Sequence, residues 1–139
     1  MEENEEEDLN RLAYLQAAYT QQYELLTQEL ATYTLAKESL SRSIEMLENS
    51  KNIENSKILV NNGAIFFEAK TEKIDKVLVY VGAGYSVEKS IEEAKSILDK
   101  MLNENNEIIK KLNQEKDEVD KALMRINYSI TALQARSQG

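Results

Sequence analysis

The chain has 139 residues, of which 25 are acidic and 17 are basic, and its formal net charge is −8. Nucleic acids and anionic membranes are recognised through basic surfaces, so this charge argues against both as partners. The chain also lacks His and Cys, and with them the commonest metal ligand, the usual proton carrier near neutral pH and the thiolate nucleophile. We therefore expect a protein that is not an enzyme, with no catalytic residue, no cofactor and no metal site.

Nothing in the sequence is typical of export or of a membrane span. Residues 2–8 are mostly acidic, whereas a secretory signal begins with basic residues followed by an apolar segment. The longest apolar run, Val77 to Val81, is far shorter than the roughly 20 residues that a spanning helix needs. We expect a cytoplasmic protein that forms one domain over residues 1–139.

A first helix is predicted over about residues 5–50, because apolar residues recur there every three or four positions without Pro or Gly. With Leu9 as position a of a heptad, the seam consists of the a residues Leu9, Gln16, Tyr23, Leu30, Lys37 and Ile44 and the d residues Leu12, Tyr19, Leu26, Tyr33, Leu40 and Leu47. Gln16 and Lys37 interrupt it. The polar stretch from Asn49 to Ser56 should end this helix.

Short strands are predicted next, within residues 57–88. Runs of β-branched, aliphatic or aromatic residues at 58–60, 64–69 and 77–81 are divided by turn-forming residues, and a further short strand is expected over 85–88. Paired in order, these strands form two small β-hairpins. The stretch Gly82-Ala83-Gly84 is interpreted as a hairpin turn and not as a phosphate-binding loop, because the third glycine of that motif is missing.

A second helix is predicted over about residues 90–135, with Ser90 and Glu93 forming a capping box at its start. Its seam repeats every seven residues and consists of Ile91, Leu98, Asn105, Leu112, Val119, Ile126 and Leu133. Asn105 is its polar exception, and the apolar stripe weakens around Glu115 and Lys116. Neither helix can bury its seam alone, so the expected fold class is mostly α: a long antiparallel two-helix coiled coil with the two small β-hairpins between its helices.

The hairpins are the predicted assembly surface. The third strand alternates Val77, Val79 and Val81 with Leu78 and Tyr80, so both of its faces favour burial. Hairpins this small cannot cover both faces, and we expect other subunits to complete the sheet. The residues assigned to subunit assembly are Ile65, Phe67, Val77, Leu78, Val79, Tyr80, Val81, Gly82 and Gly84.

A second candidate surface lies where the two ends of the predicted coiled coil meet. Apolar residues there fall off the seam or at its margin, and two helices cannot bury all of them. Single exposed hydrophobic residues are also normal on protein surfaces, so an adhesive surface and a purely structural interpretation both stay open. The residues of this surface, called the tip residues below, are Leu9, Leu12, Tyr14, Leu15, Ala17, Ala18, Tyr128, Ile130, Ala132 and Leu133.

The stretch from Val77 to Ala94, VLVYVGAGYSVEKSIEEA, closely resembles the α-type subunits of the prefoldin family. Members of that family consist of a helix, two hairpins and a second helix, and the resemblance extends over this whole predicted architecture. Ile58-Leu59-Val60 stands where the family has an apolar strand followed by Pro, and here Asn61 replaces that Pro. The first turn should therefore be looser than in the family.

The resemblance implies a hetero-hexamer of two α-type and four β-type subunits, in which the hairpins form a double β-barrel platform that carries coiled-coil arms. It also implies a chaperone that captures unfolded polypeptides at the arm tips without ATP and delivers them to a group II chaperonin. The expected partners are therefore β-type prefoldin subunits, unfolded client proteins, which the tip residues would bind, and the group II chaperonin.

The alternative is a structural or tethering coiled-coil protein. Its hairpins would only oligomerise the chain, and its helices would act as spacers. Suppression of client aggregation by the assembled protein distinguishes the two functions.

Overall fold

The structure, a computed structural model, describes residues 2–138 except for the side chain of Gln138. Met1 and Gly139, the ends of the predicted single domain, lie outside the described residues. The elements in chain order are α1 (Glu2–Glu48), α2 (Ser50–Ile53), β1 (Lys57–Asn61), β2 (Phe66–Lys70), β3 (Lys76–Gly82), β4 (Tyr85–Ser90) and α3 (Ile91–Gln138). The predicted fold class, with long helices on either side of two antiparallel hairpins, is confirmed.

The chain divides into two compact units. The first, called the helical unit below, combines Met1–Leu35 with Asn106–Gly139. The second, called the hairpin unit, is the continuous segment Ala36–Asn105 and contains both β-hairpins. Among residues 2–138, no helix combines the length and the apolar character that crossing a membrane requires.

In the helical unit, α1 and α3 pack along the predicted heptad seam. Leu26 of α1 forms a buried cluster with Leu112 and Val119 of α3. Partly buried side chains pack around this cluster, namely Tyr19, Tyr23, Leu30, Tyr33 and Leu123. The seam assigned from the heptads is therefore the core of this unit, because water is excluded from its apolar side chains.

The polar positions of the same unit also have partners across the helix pair. Gln16 Nε2 donates a hydrogen bond to Asn127 Oδ1 at 2.6 Å. Lys116 Nζ lies 4.9 Å from the centroid of the Tyr23 ring, a cation–π distance. The apparent weakness of the second stripe around Lys116 is thus a polar contact with an aromatic residue of α1. Since partner positions rise along α1 as they fall along α3, the helices of this unit are antiparallel.

In the hairpin unit, each hairpin is a separate two-stranded sheet. β1 pairs with β2 from Lys57↔Lys70 to Asn61↔Phe66, and β3 pairs with β4 from Lys76↔Ser90 to Gly82↔Tyr85. The predicted start of the second strand at residue 64 is wrong by two residues. Ile65 accepts a hydrogen bond from Asn62 N at 3.1 Å and therefore belongs to the turn that precedes β2.

The predicted capping box at the start of α3 is present in one of its two hydrogen bonds. The backbone N–H of Glu93 donates to Ser90 Oγ at 3.2 Å, which caps the start of α3. The Glu93 carboxylate lies 3.8 Å from Lys89 Nζ, so its closest charged partner is a lysine side chain. Close to this start of α3, Lys95 Nζ and Glu48 Oε1 at the end of α1 are 3.2 Å apart.

Replacing Ala83 with Asn is expected to stabilise the second hairpin. Ala83 and Gly84 form the turn between β3 and β4, with φ of 52° and 79°. A left-handed conformation costs an alanine about 1 kcal/mol, whereas Asn-Gly is the preferred pair where both turn residues have positive φ. We expect the free energy of unfolding, measured by urea titration, to rise by about 0.5–1 kcal/mol. The β-branched control Ala83→Val should lower the free energy of unfolding. If Ala83→Asn lowers it as well, backbone strain at Ala83 is not the reason for the effect.

Candidate functional site

Strand β3 places alternate side chains in opposite surroundings. Val79 is buried, at 5% exposure, whereas its neighbours Leu78 and Tyr80 are 74% and 62% exposed. The Tyr80 hydroxyl accepts a hydrogen bond from the backbone N–H of Gly84 at 3.3 Å, which positions the ring beside the turn. One face of β3 is therefore covered by the chain itself, and the other face is open.

The residues assigned to assembly do not form one uniform surface. The exposed members are Ile65, Phe67, Leu78, Tyr80, Val81 and Gly84. Val77 and Gly82 are partly buried, and Val79 belongs to the interior of the hairpin unit. Leu59, Phe66 and Tyr85 are large, apolar and exposed on the same hairpins, but the sequence assignment omitted them. Leu59 and Phe66 lie inside the apolar runs that predicted β1 and β2, and Tyr85 begins β4, so their position in the hairpins was the signal that could have found them.

An apolar groove of about 490 Å³ lies in the hairpin unit beside β3. The helices supply most of its wall, through Leu40, Ser43, Met46, Leu47, Ala94, Leu98 and Met101. Ile53, Ile74, Val77 and Val79 also line it. Because polar lining groups are few, such a groove favours contact with apolar side chains over a charged ligand. The sequence assignment did not anticipate it, since it is formed by residues from several separate segments.

The tip residues all belong to the helical unit. Tyr14, Ala17, Ala18 and Tyr128 are exposed, with Tyr14 at 75% and Tyr128 at 78%. The other tip residues are partly buried, namely Leu9, Leu12, Leu15, Ile130, Ala132 and Leu133. Met124 is a further exposed large apolar residue of this unit that the tip assignment omitted. It lies four residues before Tyr128 on α3, and this helical spacing could have identified it.

The acidic start of α1 is an ordinary solvated helix terminus. Glu2, Glu3 and Glu5 lie in the first turn, where the helix dipole favours negative charge. Asp8 Oδ1 lies 3.8 Å from Arg11 on the same helix. Within residues 2–138, no group of three or more acidic side chains is arranged so that it could hold a metal ion.

Comparisons with known proteins agree with this architecture. The family model described as "Prefoldin subunit" matches residues 19–136. The prefoldin subunit alpha of Pyrococcus horikoshii is 43% identical over 99 residues, which cover 68% of this chain and 66% of that protein. Prefoldin subunit alpha 1 of Methanocaldococcus jannaschii is 35% identical over 98 residues, which cover 70% of this chain and 68% of that protein.

A solved structure shows the same fold. A cryo-EM structure of filamentous prefoldin from Methanocaldococcus jannaschii superimposes with a TM-score of 0.57 and 30% sequence identity, covering 88% of this chain and 97% of that one. The alignment with the Pyrococcus horikoshii relative spans just under two thirds of its length, 66%. From the family match, the helix–hairpin–helix order and these relatives, we conclude that this chain belongs to the prefoldin family of chaperone subunits, where it resembles the alpha subunits.

Proposed function

We propose that this chain is the α-type subunit of a hetero-hexameric chaperone that captures unfolded polypeptides without ATP and delivers them to a group II chaperonin. The observation that carries the proposal is that both units expose large apolar side chains to solvent. Tyr14 and Tyr128 are examples in the helical unit, and Leu78 is an example in the hairpin unit. Exposed apolar surface in such amounts marks sites of contact with other chains.

The hairpin unit is suited to the assembly function. Its strands leave edges unpaired and one apolar face open, and isolated hairpins are marginal in water unless other strands or helices cover them. We assign the open face of β3 and the adjoining groove to contacts with β-type subunits, whose hairpins would complete a β-barrel platform. The solved prefoldin structure from Methanocaldococcus jannaschii is of a filamentous form, and measuring the native mass of this chain with its partners distinguishes a closed hexamer from a filament.

The helical unit is suited to the capture function. Unfolded chains expose short, varied apolar segments, so a capture surface should be apolar, adaptable and weak per contact, with avidity from several subunits. Tyr14 and Tyr128 offer large apolar rings with a polar hydroxyl, a combination common at binding surfaces. The proposed site of action is the cytoplasm, where the family's chaperonin partner would receive the client.

Capture should be measurable as suppression of aggregation. The assembled protein, added at a molar excess to a chemically denatured enzyme on dilution, should reduce light scattering, and ATP should change nothing because the chain offers no phosphate-binding loop. An equal mass of serum albumin is the control. Full scattering with the assembled protein would favour the tethering alternative, and ATP hydrolysis by the pure chain would contradict the assignment as a non-enzyme.

A further inference from the structure

The outward surface of α1 carries no charge between Tyr14 and Leu35, after the charged outward residues Glu7 and Arg11. Within this stretch, positions c and f of the heptad, which point away from α3, are occupied by Tyr14, Ala18, Gln21, Leu25, Gln28, Thr32 and Leu35. All of these side chains are exposed. We call this set the outer face. Leu25 and Leu35, at 55% and 66% exposure, are large apolar residues in a position that normally faces water.

The same face of α3 is different. Its outward positions in the helical unit include Glu107, Lys110, Asp117 and Lys121, as expected for a solvated helix. On α1, even the hydroxyl group of Thr32 is bonded within the helix, donating to the carbonyl oxygen of Gln28 at 3.2 Å. Thr32 can therefore offer its methyl group to a partner without losing a hydrogen bond. Further along α3 the outward positions also become uncharged, at Met124 and Tyr128, so the contrast with α1 holds over residues 107–121.

We propose that the outer face of α1 is a second coiled-coil seam, which binds an amphipathic helix of another protein with lysine or arginine residues on both flanks. Its spacing is alternately four and three residues from Tyr14 to Leu35, the repeat by which helices pair. Small side chains such as Ala18 lie between large ones such as Leu25, which leaves holes for the knobs of a partner helix. Pairing would bury no charged group of the outer face itself.

The flanking charges specify the partner's chemistry. Between Tyr14 and Leu35 the charged residues of α1 are Glu24 and Glu29, one on each side of the outer face. Neither has an ion-pair partner among residues 2–138. Basic residues at the flanks of an incoming helix would meet both carboxylates, and the net charge of −8 would attract such a helix from a distance.

A second copy of this chain fits the outer face less well. In a parallel, in-register pair, Glu24 of one copy would face Glu29 of the other, because flanking residues five positions apart meet across a parallel coiled coil. An antiparallel pair has no basic flanking residue between positions 14 and 35 to offer either glutamate. Like charges on the flanks and a total charge of −8 on each copy oppose self-association through this face.

The proposal is tested with a synthetic helical peptide of about 21 residues, three heptads, with Leu and Ala at a and d and Lys at both flanking positions. A matched peptide carries Glu in place of each Lys. Binding to the full-length chain is measured by fluorescence anisotropy of the labelled peptides at two salt concentrations. The Lys peptide should bind, and more weakly at high salt, whereas the Glu peptide should not. Equal binding of the two peptides would overturn the proposal.

Variants of the chain locate the bound peptide. Leu25→Glu with Leu35→Glu adds negative charge, which alone would strengthen binding of the Lys peptide, but we expect at least about tenfold weaker binding because the seam contacts are lost. The control Gln114→Glu with Gln134→Glu makes the same charge change at exposed positions of α3 and should retain binding. Glu24→Gln with Glu29→Gln should weaken binding about two- to threefold per residue.

These variants leave unchanged Tyr14 and Ala18, which belong to both the outer face and the tip residues, so a loss of peptide binding is distinguishable from a loss of capture at the tip residues. Leu25 and Leu35 are exposed and lie outside the main seam, and retained helical circular dichroism will verify folding. Unchanged affinity in the Leu25→Glu, Leu35→Glu variant would place the peptide elsewhere and overturn the outer face as its site.

Discussion

Replacing Leu78 with Asp should abolish assembly with β-type subunits while leaving the fold of the chain intact. Leu78 is the most exposed large apolar residue of β3, so Asp in the isolated chain would still meet water and should cost less than about 1 kcal/mol of folding stability. In the proposed interface, the same carboxylate would be buried without a partner. That burial costs several kcal/mol, roughly 100-fold or more in the association constant of each contact. Native mass of the chain purified with a β-type partner provides the measurement.

Val79→Asp is the matched comparison one residue further along the strand. Val79 is 5% exposed within the chain itself, so its replacement should unfold the hairpin unit even without other subunits. Ser41→Asp, at an exposed position of α1 in the same unit, should affect neither folding nor native mass. An unchanged hexamer in the Leu78→Asp variant would contradict the assignment of the open face to assembly.

The contrast between Leu78 and Val79 also shows where sequence reasoning reaches its limit. Alternation along β3 correctly placed Val77 and Val79 opposite Leu78 and Tyr80, but Val81, assigned to the face of Val79, is 50% exposed because the pairing is irregular between Tyr80 and Gly82. Which face is covered by the chain itself depends on the surrounding helices, since Val79 shares the lining of the groove with Ala94 and with residues of α1, all distant from it in sequence. A local pattern carries no information about them. The assembly set therefore mixed an interior residue with surface residues.

Heptad periodicity was the most informative signal, because it depends on the geometry of the helix itself. It identified Leu26, Leu112 and Val119 as seam residues, and these form the core of the helical unit. Periodicity could not show that Gln16 would bond to Asn127, since the pairing of polar residues depends on the register between the helices. Strand ends were less well predicted, as the turn at Ile65 shows, because a turn is determined by backbone hydrogen bonds that composition only suggests.

The tip residues stay a prediction, and the structure shows how to divide them. Partly buried members such as Leu9 and Leu133 lie on the seam and contribute to helix pairing. Tyr14 and Tyr128 are exposed to solvent, so helix pairing does not explain why large aromatic residues stand at these positions. A test that removes only these tyrosines can therefore separate client contact from stability.

Trimming the helical unit by deleting residues 1–18 and 128–139 should abolish aggregation suppression while the hexamer persists. The deletion removes every tip residue but retains the buried cluster of Leu26, Leu112 and Val119 and both hairpins. Helicity must be measured first, because the deletion also shortens the seam and lowers helix stability. Retained hexamer mass together with lost suppression would separate capture from assembly.

A double variant, Tyr14→Ser with Tyr128→Ser, gives the sharper form of the same prediction. Both rings are largely exposed, so their removal should change folding stability little, yet capture should weaken severalfold because each subunit loses its largest apolar contacts and avidity multiplies that loss over the assembly. Leu25→Ser with Leu35→Ser is the matched control, since it removes two exposed large side chains from the same unit outside the tip residues. If both variants lose the same amount of aggregation suppression, unfolded chains contact α1 broadly. If the tyrosine variant suppresses aggregation as well as the parent does, the capture surface does not lie at the tip residues.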